Sequence, residues 1–179
     1  YDFWQQSGPK AGFVTLAQSL KRLEHPELRV ELADLLALLI NRVQHEQLAM
    51  PHLPGNPLRL HARYAREQIL VGFGATHFAQ QPSAREGVFV ITDQNIELLL
   101  VTLNKTEKHF SPTTRYHDYA ISESLFHWQS QNSARPERGK GLSYINHRAE
   151  GKRLFLFVRE QSKDEFGRTL GFVNFGEVE

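Results

Sequence analysis

The chain has 179 residues, 40% of them hydrophobic, and its 21 Lys and Arg nearly balance 20 Asp and Glu. It can therefore bury a core of one or two units, and its overall charge selects no partner. The lack of cysteine excludes disulfides and thiolate metal sites and fits a reducing, cytoplasmic setting. No apolar run nears the ~20 residues of a membrane span. The opening YDFWQQSGPK has no signal-peptide pattern and, lacking methionine, reads as part of a longer protein.

In chain order, Phe13, Leu16, Ala17, Leu20 and Leu23 recur at helical spacing. Pro26 suits a helix start, and Leu28, Leu32, Leu35, Leu36, Leu39, Ile40 and Val43 follow at steps of three and four. The pattern predicts a two-helix hairpin with one apolar stripe per helix. MPHLPGNPLRL, with three prolines and a glycine in eleven residues, reads as a linker. A third helix over Tyr64 to Phe73 should stop at Gly74 as a glycine cap.

The period then changes. GVFVIT (87–92), IELLLVTL (96–103) and the stretches 125–129, 142–147, 153–160 and 171–175 read as short strands. Six strands without intervening helices predict an antiparallel sheet curled into an open barrel. The expected class is α+β: a helical subdomain over 1–60 with its Pro-rich linker, then a β pseudo-barrel domain over 61–179.

Catalytic motifs are sparse. Arg138-Gly139-Lys140-Gly141 lacks both the spacing and the following Ser or Thr of a phosphate loop. The nine histidines show no paired spacing with a third ligand. No serine sits in a nucleophile elbow, so neither a catalytic residue nor a metal ligand is assigned.

Ser111 to Gln131 (SPTTRYHDYAISESLFHWQSQ) instead interleaves aromatic faces with hydrogen-bonding side chains. Arg115, Gln129 and Gln131 offer planar forks to base edges, Tyr116, Tyr119 and Trp128 offer stacking faces, and His117 can join them. Phe126 and Trp128 fit core packing equally well. Lys105 and Lys108 lie just before this stretch. Beyond it, Arg135 to Arg153 holds six basic residues against Glu137 and Glu150. Lys105, Lys108, Arg135, Arg138 and Lys140 are the expected phosphate contacts.

The run VTLNKTEKHFSPTTRYHDYAISESLFHWQSQN, the downstream Gly141 to His147 and the end LFLFVREQSKDEFGRTLGFVNFGEVE resemble the domain of unknown function 3427. That domain lies at the C-terminus of bacterial superfamily 2 helicases that carry a phospholipase-D-type nuclease domain. Its members continue past the GFVNFGEVE position with further strands, which leaves barrel closure open. The resemblance implies a non-catalytic DNA-recognition module of an ATP-dependent helicase–nuclease in restriction or phage defence, reading sequence or modified bases. The expected partners are duplex DNA and the helicase and nuclease domains of the same chain, with no membrane. ATP and Mg would be held by the parent's motor lobes, and no cofactor by this region. The alternative is a protein-interaction or regulatory domain that packs on the motor or a partner subunit, supported by the leucine-rich stretch 27–43.

Overall fold

A computed structural model describes residues 12, 15–42, 48–76, 87–104, 118–130 and 134–179. It is an α+β arrangement built on one central sheet. The first helix, α1 (Leu16–Leu20), runs into a 3-10 turn (Lys21–Glu24), and α2 (Pro26–Arg42) follows. Every described side chain from Leu16 to Arg42 is exposed, so the apolar pattern read in the sequence has no cover among the described residues.

The segment 50–60 contributes Met50 and Leu58 to the main core, with Leu53 and Leu60 packed against it. Strand β1 (Arg63–Tyr64) leads into α3 (Arg66–Gly72), where the Gln68 side chain accepts from Ala65 N–H at 2.8 Å. Gly74 ends α3 at φ 68°, with Gly74 N bonded to Val71 O and Ala75 N to Leu70 O. That pair is a Schellman closure, and it needs a left-handed residue at Gly74.

The sheet runs β1-β7-β6-β3-β2, with β2 Val88–Ile91, β3 Ile96–Asn104, β6 Arg153–Gln161 and β7 Phe172–Val178. β2–β3, β6–β7 and β7–β1 are antiparallel, but β3 and β6 are parallel over Ile96↔Arg153 to Asn104↔Gln161. An all-antiparallel barrel was the expectation, and the described sheet is mixed and open. The reason lies in residues 142–147: the first four are helical, within α4 (Gly139–Ile145), and Asn146 and His147 are turn, so none is a strand. Together with the short hairpin β4 (Tyr119–Ala120) and β5 (Phe126–His127), α4 belongs to a long crossover that returns the chain parallel to β3.

Alternation along β3 and β6 splits their side chains between two faces. Ile96, Leu98, Leu100, Phe155 and Phe157 meet Ile69, Leu70 and Phe73 on one side. Leu99, Val101, Leu156 and Val158 meet Phe126, Trp128 and Val178 on the other. Each fully buried side chain of this kind contributes roughly 1.5–3 kcal/mol. Both faces of the two central strands are therefore apolar, which explains the near-continuous run in IELLLVTL.

Candidate nucleic-acid interface

The second face of the sheet positions the aromatic segment. Phe126 and Trp128 are half-buried against Leu99, Val101, Leu156 and Val158. The Trp128 ring also meets Tyr144 of α4 edge-on, with centroids 5.1 Å apart and planes at 85°. Gln129 is held nearby by its backbone, whose N–H donates to Oδ1 of the buried Asp118 at 2.9 Å. Trp128 is thus a wedge between the sheet and α4.

The hairpin presents a different surface outward. Tyr119 pairs across the strands with His127, and their rings lie 4.9 Å apart at 37°. Ile121 N–H donates to Leu125 O, which continues the register toward the tip. Alternation puts Tyr119, Ile121, Leu125 and His127 on one side and Phe126 on the other. Tyr119, Ile121 and Leu125 are more than half exposed, at 52%, 54% and 56%. The exposed Tyr119 phenol, tilted against the His127 imidazole, offers a ring face on which an unpaired base can stack.

The basic tract divides into two groups. Arg148 meets the Glu179 carboxylate, Lys152 meets Glu97, and Arg153 forks onto Glu177 through Nε and Nη2 at 2.8 and 2.7 Å. These three basic residues are neutralised within the fold. Arg135 and Arg138 are exposed and form no ion pair among the described residues. They flank a turn closed by Arg138 N–H to Arg135 O at 3.3 Å and, with Gly139 and Lys140, line a depression of about 450 Å³. Gly141 lies directly against the turn, and a Cβ there would overlap the Arg135 backbone.

An ordered chain of polar contacts fixes α4 to the sheet. Lys152 Nζ donates to Glu97 Oε1 at 2.7 Å and to Ser143 Oγ at 2.5 Å, and Ser143 Oγ donates to Glu150 Oε2 at 2.8 Å. The helix that begins with the basic turn is therefore fixed toward its far end by the largely enclosed ammonium of Lys152.

A model of the domain of unknown function DUF3427 matches residues 58–179. The chain belongs to that family. No curated protein and no solved structure matches it.

Within this DUF3427 domain, Trp128, Gln129 and α4 adjoin on the second face of the sheet, and Tyr119 stands on the hairpin that leads into Trp128. Arg135, Arg138 and Lys140 lie at the start of α4. Lys105, Lys108, Arg115, Tyr116, His117 and Gln131 lie outside the described residues. Tyr144, Ser143 and Glu97 were not singled out in the sequence. Glu97 did carry a signal, being a charge inside the apolar run IELLLVTL. Buried charges persist only when paired, so it called for a cationic partner.

Proposed function

We propose that this DUF3427 domain is a non-catalytic DNA-recognition module. The observation that carries the reading is the contrast inside the basic tract: Arg148, Lys152 and Arg153 have carboxylate partners, whereas the exposed Arg135 and Arg138 have none among the described residues. Exposed guanidiniums without an ion-pair partner among the described residues, set around a depression, suit phosphate oxygens. Tyr119 against His127, in the same β3–β6 crossover, supplies a face for a base. By its resemblance, the domain serves an ATP-dependent helicase–nuclease of restriction or phage defence, in the cytoplasm, with ATP and Mg confined to the motor lobes.

The test is fluorescence anisotropy with the full chain and a panel of duplexes, some with modified bases, over a range of salt. Binding should weaken steeply with salt. Arg138→Ala should weaken every duplex alike and reduce the salt slope by about one. Absence of binding to the whole panel at low salt would remove the reading.

One observation favours a second reading, an interaction domain. Leu28, Leu32, Leu35, Leu36, Leu39 and Ile40 of α2 are all exposed, Ile40 at 70%. A helix this apolar packs against something. Retention of the motor region in a pull-down, with no DNA binding, would select that reading.

A further inference from the structure

The apolar face of α2 has an internal order that points to its partner. Leu28, Leu32, Leu35 and Leu39 follow one another at steps of four, three and four, the spacing of a coiled-coil seam. Leu36 and Leu38 flank that seam on either side and widen it. No residue of the 17-residue helix is buried among the described residues. Helices in proteins draw most of their stability from packing such a face, so α2 calls for a cover.

The seam is complementary to itself when a second copy runs antiparallel. Setting Leu32 against Leu35 of the second copy also sets Leu28 against its Leu39, so every layer from 28 to 39 is leucine on leucine. Two-fold symmetry repeats each contact.

The charges at the two ends decide the direction. Glu24 precedes α2 and Glu27 lies in its first turn, whereas Arg42 lies in its last. In the antiparallel alignment Arg42 reaches the layer of the other copy's His25, between Glu24 and Glu27, and the helix dipoles oppose. Run parallel and in register, Arg42, the next seam position after Leu39, would face Arg42, and Glu27 would lie beside Glu27. Like charges at both ends disfavour that order.

The area is sufficient. The six leucines are each 37–50% exposed. They amount to on the order of 500 Å² per copy and about 1,000 Å² over a pair, the size at which specific interfaces begin.

We infer that α2 pairs with α2 of a second copy as a short antiparallel coiled coil, which makes the chain a two-fold dimer. The surface is separate from the Arg135–Arg138 turn, and the inference stands whether or not that turn contacts DNA.

The experiment is sedimentation velocity on the full chain from micromolar to submillimolar concentration. The chain should sediment as a dimer at the upper end. Leu35→Asp places a carboxylate in both central layers and should raise the dimer Kd by at least about a hundredfold. Thermal unfolding of the variant shows that the sheet is intact, because α2 lies outside its core. The lack of cysteine lets single substitutions report the alignment in an otherwise unaltered seam. Leu28→Cys and Leu39→Cys chains, mixed and oxidised, should form the mixed disulfide in preference to either like pair. A monomer throughout the range, a dimer that Leu35→Asp leaves intact, or a preference for the like pairs overturns the inference. A monomer that retains the motor region, and loses it with Leu35→Asp, would assign the stripe to another domain instead.

Discussion

Lys152 Nζ lies 2.7 Å from Glu97 Oε1, with both side chains largely enclosed, at 14% and 6% exposure. Removing one charge of such a pair strands the other in a poorly solvated place. Lys152→Met should therefore destabilise the fold by roughly 3–5 kcal/mol in urea titrations. Lys152→Met combined with Glu97→Leu should recover much of that loss. A double variant no better than the single one would show that the contact with Ser143, not the charge pair, is the determinant.

Acid stability follows from Arg153 and Glu177. The hydrogen bond from Arg153 lowers the Glu177 pKa below the ordinary glutamate value, with burial opposing and the Arg153 charge assisting. A carboxylate depressed in the folded state binds its proton more readily when unfolded. Its contribution is present above the unfolded pKa and is lost as pH falls through the folded one. Stability measured from neutral pH downward should decline through that window, and Arg153→Gln should flatten this part of the profile.

Gly141 tests the basic turn without touching a charge. A Cβ at 141 meets the Arg135 backbone, which cannot rotate away as a side chain would. Gly141→Ala should cost roughly 1–3 kcal/mol, the range for overpacking. It should also weaken every duplex in the anisotropy panel alike. Unchanged stability together with unchanged binding would mean that the turn yields at no cost.

The aromatic residues should separate by assay. Trp128→Ala removes a wedge against the sheet and should lower stability by about 2 kcal/mol or more. Tyr119→Ala should change stability by less than about 0.5 kcal/mol, as exposed positions do. Its effect should appear with substrates that offer an unpaired base, at about 1–3 kcal/mol of binding. Equal loss on fully paired and mismatched duplexes would exclude base stacking at Tyr119.

The sequence made some of this plain and obscured the rest for physical reasons. The strand at Ile96 to Asn104 is legible because both of its faces are buried. The stop at Gly74 is legible because a left-handed cap favours glycine. Helix α4 was not, since LSYI is rich in residues that favour strands and seven residues give periodicity little room. Once α4 was read as a strand, the parallel crossover was hidden with it. At the candidate site, Tyr119, Arg135 and Arg138 could be picked out by residue type. Which cations in the tract are neutralised could not, because Glu97, Glu177 and Glu179 lie far along the chain from their partners.

The parallel pairing of β3 with β6 also bears on how the molecule is made. During synthesis β3 emerges with β2 as its partner among the described strands made by then, and its other edge waits until β6 has been added. Closing so long a connection carries an entropic cost that must be met before the pairing is gained. Until then a nine-residue apolar strand has an open edge on the ribosome. Expression pieces cut anywhere within 105–152 should accumulate as aggregates, while those that extend through β7 should remain dispersed.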